Sequence, residues 1–314
     1  MTVHVPILLR PIVDSLIEPF RALSQGDKLT PHWIVDCTLG GGGHTAALLE
    51  ALAQDPELSR HKVLALDQDP AAVEAGRVRF GEAISEERLV IKHCRFGEAK
   101  DHLLNLPVLG LMADLGFSSD QIEDPHRGLS FQADGALDMR LDPTRGVSAR
   151  EYLQRVNERE LEQVLREFGE ERFAGRIARV IVESRRNGTL PKTSVDLAQL
   201  IRSSVPPTMR HGRGRHSIHP ATRSFQAIRI VVNQELEELD SLLNDVILEV
   251  RSGGRVAILS FHSLEDRRVK LAFKREGWKA LTKKPMEADE KELEANPRSR
   301  SAKLRIAEKS HKTA

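Results

Sequence analysis

The sequence predicts an α/β fold: a doubly wound, mostly parallel sheet of seven strands, interrupted by a helical insert. Three observations carry this. Short apolar runs alternate with helical stretches at the start of the chain, as in successive βαβ units. Helical periodicity then takes over in the middle. Strand-like runs return after Gly253-Gly254. With 314 residues the chain can hold one large domain carrying a sizeable insert.

Strand one is read over residues 33–37, Trp33-Ile34-Val35-Asp36-Cys37, and runs into four consecutive glycines, Gly40 to Gly43. An Ala/Leu-rich helix follows over 46–53. Strand two is Lys62-Val63-Leu64-Ala65-Leu66, closed by Asp67. Pro70 suits the first turn of the next helix, which the pattern carries to Phe80. Leu89-Val90-Ile91 and Leu109-Gly110-Leu111-Met112-Ala113 are strands three and four, the latter ending in Asp114.

After Asp114 a polar, irregular stretch runs to Gly146. Leu161, Val164, Leu165 and Phe168 then share one helical face, and Phe173, Ile177, Val180 and Ile181 share another. Ser194 reads as the N-cap of a third helix that ends at Val205-Pro206-Pro207. Residues 222–250 read as helix, with an acidic patch at Glu235, Glu237 and Glu238. Strand five is expected over 255–259, a capping box at Ser263-Leu264-Glu265-Asp266, and two closing strands over 278–281 and 302–307. The expected division is a discontinuous core, 1–122 with 222–314, around a helical insert, 123–221.

Lys+Arg is 47 and Asp+Glu is 46, a formal net charge of +1. That balance neither favours nor excludes a polyanionic partner, but the distribution is uneven. From Leu197 to Gln234 there is no acid, while Arg202, Arg210, Arg213, Arg215, Arg223 and Arg229 are all there, with His211, His216 and His219. This is a local basic field, the footprint of nucleic-acid contact or else a solvated loop. Arg172, Arg176 and Arg179 line one side of an insert helix, where salt bridges to Glu171 or Glu183 account for them as well as RNA does. The two cysteines, Cys37 and Cys94, form no CxxC pair and fit a reducing compartment. No apolar run reaches the ~18 residues of a membrane span, and no secretory signal is evident, so a soluble cytoplasmic protein is expected.

A strand, a glycine bend and a helix, with an acid closing strand two, predict a nucleoside-containing cofactor. The glycines leave room for a ligand at the backbone, and Asp67 is placed to accept from a ribose. Thr45 stands where the nicotinamide fingerprint wants Gly or Ala, and no lysine follows as in a nucleotide-triphosphate loop. S-adenosylmethionine, with one ribose, a cationic sulfonium and no phosphate, fits Asp36, the loop and Asp67 better. Phe96, after strand three, is placed to cover an adenine, or else to join the core. The histidines of the basic stretch have no cysteine or acid beside them, so no metal site is expected. Ser260, His262 and Asp266 are sequence neighbours, which is not how a catalytic triad is usually assembled.

Blocks along nearly the whole chain carry a family resemblance. They include His4-Val5-Pro6-Ile7-Leu8-Leu9, Asp36-Cys37-Thr38-Leu39-Gly40-Gly41-Gly42-Gly43-His44 and Asp67-Gln68-Asp69-Pro70. Asp114-Leu115-Gly116-Phe117-Ser118-Ser119, Gly169-Glu170-Glu171-Arg172-Phe173-Ala174, His219-Pro220-Ala221-Thr222-Arg223-Ser224-Phe225-Gln226-Ala227 and Phe261-His262-Ser263-Leu264-Glu265-Asp266-Arg267 continue it. On these residues the chain resembles the bacterial small-subunit ribosomal RNA (cytosine-N4)-methyltransferases, which modify 16S rRNA at cytidine 1402. It departs from their usual pattern at Phe117, Asp120 and Leu129.

The resemblance implies a class I, Rossmann-like S-adenosylmethionine-dependent methyltransferase core, with the helical insert helping to recognise the small ribosomal subunit. It implies that Gly42, Gly43 and His44 contact S-adenosylmethionine, with Asp67 on the ribose and Phe96, Asp114 and Gln121 completing the site. Asp114 is also the candidate to draw on the cytidine amine, with Ser118, Ser119 and His262 behind it. Arg210, Arg213, Arg215 and Arg223 are the expected phosphate contacts. The resemblance is also compatible with a homodimer. The rival readings are a nicotinamide-dependent oxidoreductase on the same sheet type and a noncatalytic RNA-binding ribosome-assembly factor.

Overall fold

The computed structural model describes residues 6–23, 27, 30–132, 134–206 and 219–311. Helix α1 (Leu9–Arg21) precedes the first strand. The sequence reading missed it because Pro11 and Pro19 interrupt its pattern. Its buried side is Ile12, Leu16, Ile17 and Phe20. Pro19 has no N–H for the carbonyl of Ser15; the Arg255 guanidinium donates to that oxygen instead, at 3.3 Å. Arg255 also bonds Glu18 at 2.5 Å and Glu308 at 3.1 Å.

The alternation then proceeds as β1 (Trp33–Asp36), α2 (Gly43–Gln54), β2 (Lys62–Asp67) and α3 (Pro70–Arg79). The short α4 (Gly81–Ser85), β3 (Leu89–His93), α5 (Lys100–Leu103) and β4 (Val108–Asp114) follow. Asp69 caps α3, accepting from the Ala71 N–H at 2.9 Å with Pro70 in the first turn.

The insert contributes α6 (Ser119–Glu123), α7 (Ala149–Arg155), α8 (Glu158–Glu167), α9 (Ala174–Arg186), α10 (Ser194–Ser204) and α11 (Thr222–Asn233). Ser148 and Glu151 cap α7 reciprocally. Thr193, not Ser194, caps α10: its hydroxyl accepts from the Asp196 N–H at 3.2 Å, and Ser194 is buried as the first helical residue. The insert has its own apolar core, with Leu153, Leu161, Leu165, Ile177, Leu197, Ile201, Phe225 and Ile228 among its members.

The insert boundaries differ from those read off the sequence. The chain divides into Met1–Gly116 with Leu236–Ala314, and Phe117–Glu235. The expected insert, 123–221, left α11 to the core. Its apolar side belongs with the insert, however, through Phe225, Ala227, Ile228 and Val232. Asn233 at its end accepts from the Leu141 N–H at 2.7 Å and donates to the Met139 carbonyl at 2.8 Å.

The expected helix over 222–250 breaks at Gln234, which takes a left-handed φ of 54°. Beyond it come α12 (Glu235–Asn244), β5 (Val250–Ser260), α13 (Ser263–Ala272), β6 (Trp278–Ala280), α14 (Glu290–Ala295) and β7 (Lys303–Lys309). β5 starts earlier than the Gly-Gly pair suggested. Val108 pairs with Val250 while Gly110 already pairs with Arg255, so Gly253-Gly254 lie in a bulge within the strand.

The seven strands form one sheet in the order β3-β2-β1-β4-β5-β7-β6. β1 to β5 are mutually parallel, and β7 runs antiparallel between β5 and β6. This is the class I methyltransferase topology expected from the sequence. Register splits the strands between two cores. The row Leu64, Val35, Leu111 and Val256 faces one core together with Leu239, Leu242, Val269 and Phe273. The next row is Ala65, Asp36, Met112, Ala257 and Ile306. Its apolar members face the other core, with Ile12, Leu16, Leu48 and Val73. Parallel strands buried on both faces need apolar side chains at nearly every position, which is why these strands read as continuous runs. Asp36 is the exception in its row.

Asn233→Ala should leave the buried Leu141 N–H without an acceptor. The expected cost is about 1–3 kcal/mol, read as faster amide exchange across α7 to α11 and a lower unfolding midpoint. Unchanged exchange there would show that Asn233 does not tie the Leu137–Leu141 segment to α11.

Candidate active site

The candidate site is built at the carboxyl ends of β1, β2, β4 and β5, where open α/β sheets bind ligands. Asp36, wholly buried, organises it. One oxygen accepts from the Thr38 N–H at 3.1 Å and the other from the Thr45 hydroxyl at 2.7 Å, so it ties both ends of the glycine loop to β1. Burial pushes its carboxyl above the usual range, against the pull of His44 and the Thr45 and Thr38 hydrogen bonds. Thr38 in turn accepts from the Asp114 N–H at 2.7 Å.

Asp67 accepts from the Gly40 N–H at 2.7 Å and the Asp69 N–H at 2.8 Å. Burial raises it to about 6 despite those donors, and the charges of Asp69 and Asp36 add to the rise. Each oxygen keeps a lone pair beyond the one in use, so the carboxylate can still accept from a diol. The Cys94 N–H donates to the Asp67 carbonyl at 2.9 Å and sets the chain after β3 beside it.

The loop glycines are required by packing as well as by conformation. Gly42 has φ 75°, and a Cβ there would lie 2.6 Å from the Phe80 ring. A Cβ on Gly43 would collide with Pro6. At these two positions the vacant side-chain space is therefore filled by the protein, which corrects the expectation that it is kept clear for a ligand.

His44 is buried, and its Nε2–H donates to the Ile7 carbonyl at 3.1 Å. A carbonyl only accepts, so Nε2 carries a proton, and Nδ1 is directed to Asp114 at 3.8 Å. Asp114 is partly exposed, 19 % at its side chain. Burial raises its carboxyl to about 6; His44 opposes this, and Asp36 and Glu265 reinforce it.

After β3, the Gly97 N–H donates to Glu238 at 3.0 Å, and Arg95 pairs with the same carboxylate at 3.4 Å. A Cβ on Gly97 would lie 2.9 Å from the Glu238 carbonyl oxygen, so only glycine admits this approach. Phe96 is half-buried against the core it shares with Trp33 and Val90. After β5, one oxygen of Glu265 accepts from the Phe261 N–H at 2.8 Å and the His262 N–H at 3.2 Å, fixing the start of α13. The cap residue is therefore His262 rather than Ser263. Asp266 forms a two-pronged pair with Arg305, at 2.7 and 3.1 Å, and Ser260 donates to the Lys303 carbonyl, so these residues do not form a triad with His262.

Gly42, Gly43, His44, Asp67 and Asp114 thus converge around the ends of β1, β2 and β4, with Phe96 following β3. Gln121 belongs to the Phe117–Glu235 unit. It forms a reciprocal cap with Ser118, accepting from that N–H at 2.9 Å and donating its own to the Ser118 hydroxyl at 3.2 Å. Arg223 is exposed and donates to the Glu170 carbonyl at 3.3 Å. Arg210, Arg213 and Arg215 lie outside the described residues, as do His211 and His216. Arg229 is withdrawn from the basic field, clamped to Glu235 at 2.7 and 2.9 Å over the Phe117 ring. Arg179 pairs with Glu158 at 3.6 Å rather than with Glu171 or Glu183. His219 packs on Phe131 at 4.6 Å and accepts from the Ala221 N–H.

The sequence reading gave no role to Thr38 or the Ile7 carbonyl and placed Glu238 only in an acidic patch, because their roles depend on partners distant in sequence. Thr45 was noted only as a departure from a fingerprint. Its hydroxyl, one helical turn after Gly42 and facing Asp36, was the available signal.

Asp114→Asn should stabilise the ligand-free protein by about 1–3 kcal/mol at pH 8. The sign follows from a folded value near 6 against an ordinary 3.8. The folded state binds the proton more tightly, so the charge destabilises it above pH 6, and the penalty disappears as pH falls below 3.8. Denaturant unfolding at pH 8 and pH 3.5 measures it; equal gains at both would assign the effect to packing.

The family model described as the MraW methylase family matches residues 1–310. Ribosomal RNA small subunit methyltransferase H of Sorangium cellulosum (strain So ce56) is 44% identical over 308 residues, covering 97% of this chain and 90% of its own. The protein of that name from Synechococcus sp. (strain JA-2-3B'a(2-13)) is 44% identical over 287 residues, covering 88% of this chain and 85% of its own. Among solved structures, an rRNA methylase from Streptococcus thermophilus aligns over 98% of this chain and 100% of its own at 13% identity and a TM-score of 0.41.

Proposed function

The chain belongs to the MraW methylase family, and we propose that it transfers a methyl group from S-adenosylmethionine to a cytidine of small-subunit ribosomal RNA. The acceptor we assign is the exocyclic N4 amine, at cytidine 1402 by the family resemblance. The single observation that carries this reading is the family match, which spans both halves of the sheet and the insert between them.

The donor set fits the cofactor. Asp36, Asp67 and Asp114 gather at neighbouring strand ends, and like charge helps to raise both Asp67 and Asp114. A cation placed among them relieves that repulsion, which a dinucleotide pyrophosphate would worsen. S-adenosylmethionine supplies an electrophilic methyl group on such a cation. Asp67 accepts from the ribose hydroxyls, Gly42 and Gly43 hold the loop that carries His44, and Phe96 covers the adenine. Gln121 is assigned to the cofactor by the family resemblance alone. Asp114 stands on the methyl side and accepts one N–H of the cytidine amine, drawing its lone pair out of the ring.

The chain's main catalytic demand is alignment. The amine nitrogen, methyl carbon and sulfur must lie in line, with reacting atoms roughly 3–3.5 Å apart, and the base must be unpaired or flipped from its stack to reach that position. We assign the Phe117–Glu235 unit to holding the RNA, with Arg210, Arg213, Arg215 and Arg223 on phosphates. Among the described residues no helix is long and apolar enough to cross a membrane, in keeping with a cytoplasmic place of work.

Methyl transfer from labelled S-adenosylmethionine to undermethylated small subunits, followed by nucleoside mass analysis, should place the label on cytosine N4. Asp67→Ala should weaken cofactor binding at least tenfold in calorimetry, about 1.4 kcal/mol, and slow the transfer. Label on another nucleoside, or tight NADH binding without S-adenosylmethionine binding, would overturn the reading.

Arg213→Glu combined with Arg215→Glu should weaken RNA binding and flatten its salt dependence, since fewer counterions are released. An unchanged affinity and salt slope would assign these arginines to a solvated loop.

A further inference from the structure

The proposed reaction leaves one proton without a destination. When N4 takes the methyl group it becomes cationic, and a neutral product requires that one N–H be lost. Asp114 is already assigned to accept from one N–H. Another group at the same end of the sheet has the form of a base with its own orienting carboxylate.

His262 follows β5, whose end lies beside that of β4: Leu259 is the register partner of Asp114, and its carbonyl accepts from the Leu115 N–H at 2.9 Å. The His262 side chain is nine-tenths buried. Neither ring nitrogen has a hydrogen-bond partner among the described residues. Nε2 lies 3.1 Å from Oε1 of Glu265, while the other Glu265 oxygen is fixed by the Phe261 and His262 N–H groups. A carboxylate is an acceptor, so Glu265 favours the tautomer with the proton on Nε2. Nδ1 is left as a buried acceptor at the N-cap of α13, turned toward the Glu265 N–H but outside hydrogen-bond geometry with it. Such an atom is costly without a donor, and a substrate amine is a donor. A carboxylate that selects the tautomer of a base and steadies its protonated form is the logic of the orienting acid in a catalytic triad. Hydrogen bonds of this kind are often poorly aligned before substrate arrives.

Building on the methyltransferase reading above, we propose that His262, oriented by Glu265, is the catalytic base that takes the proton from the cytidine amine. The N4–carbon bond forms as the carbon–sulfur bond breaks, and that bond's electron pair stays on the departing neutral thioether. The N4–H electron pair returns to nitrogen, and the proton moves to Nδ1. The resulting imidazolium is stabilised by the Glu265 carboxylate and later releases its proton to water. Glu265 is thus a positioning residue.

His262→Gln and His262→Asn are the primary variants, measured by single-turnover methyl transfer to small subunits across pH. The expected result is a transfer rate lower by about 100-fold or more, loss of the acidic limb of the pH profile, and S-adenosylmethionine affinity within threefold of the parent. Imidazole should restore part of the rate to His262→Gly. Glu265→Gln should lower the transfer rate with cofactor affinity kept, because the ring loses the carboxylate that orients it. Without any turnover, nitrogen NMR of the imidazole should show Nε2 protonated and Nδ1 bare. An unchanged rate and pH profile in both His262 variants would overturn the assignment. So would loss of cofactor affinity in step with the rate, which would make the histidine structural. Failure of the unaltered protein to methylate cytidine would instead reject the reaction itself, whatever the variants do.

Discussion

A single buried carboxylate sets the candidate site. Asp36 occupies a sheet row otherwise filled by Ala65, Met112, Ala257 and Ile306. Burying a charge there is expensive unless it is hydrogen-bonded. The Thr38 N–H and Thr45 hydroxyl meet that demand, and in doing so they draw the glycine loop back over the end of β1. Two further contacts depend on that fold-back. The Gly40 N–H reaches Asp67 on β2, and Thr38 receives the Asp114 N–H from β4. Three strand ends are thereby joined through one loop. The loop needs glycine because of φ at Gly42 and because Phe80 and Pro6 occupy the space of side chains at Gly42 and Gly43.

The electrostatic character of the site follows from the same arrangement. Parallel strands end together, so acids at the ends of β1, β2 and β4 are neighbours, with Glu265 beyond β5 within electrostatic reach of Asp114. Burial weakens their hydration and like charge raises Asp67 and Asp114 further, to about 6 each. A protein selected only for stability would replace one of these acids. Retaining them stores a potential that favours a positively charged ligand, and the energy is recovered only when such a ligand is bound. This is why a sulfonium accounts for the acids better than a phosphate does. The same surplus bears on His262, since an imidazolium formed beside Glu265 gains from a carboxylate already fixed in place.

Much of this was legible in the sequence because parallel strands announce themselves. Trp33 to Asp36, Lys62 to Asp67 and Val108 to Asp114 are apolar runs closed by acids, so both the sheet and the acids at its end could be read directly. What could not be read depends on conformation or on distant partners. α1 was hidden by Pro19, tolerated because Arg255 satisfies the freed Ser15 carbonyl. The break at Gln234 is a left-handed residue that is not glycine. The insert boundary moved because α11 buries its apolar side in the insert core. Glu238 looked like part of a surface acidic patch, yet it is half-buried and bonded to Gly97 and Arg95. No local pattern distinguishes it from its exposed neighbour Glu237.

The position of His44 shows how far the site relies on the N-terminal segment. Its Nε2–H is directed at the Ile7 carbonyl, and Ile7 is held between Pro6, packed on Gly43, and Leu8, whose N–H donates to Glu292 of α14 at 2.6 Å. Leu8 also takes a left-handed φ of 50°, a conformation costing a non-glycine residue about 1–3 kcal/mol. Strain of that size persists only where surrounding contacts enforce it, and the Glu292 hydrogen bond and the burial of Ile7 and Leu8 supply them. The result is a fixed ring orientation with Nδ1 toward Asp114. Were the Ile7 carbonyl displaced, Nε2 would lose its acceptor and the ring would be released to turn Nδ1 away from Asp114. The charge balance at Asp114 would then change without any substitution in the glycine loop. Segments from both ends of the chain, far from the loop in sequence, thus determine which nitrogen of His44 faces the reacting side.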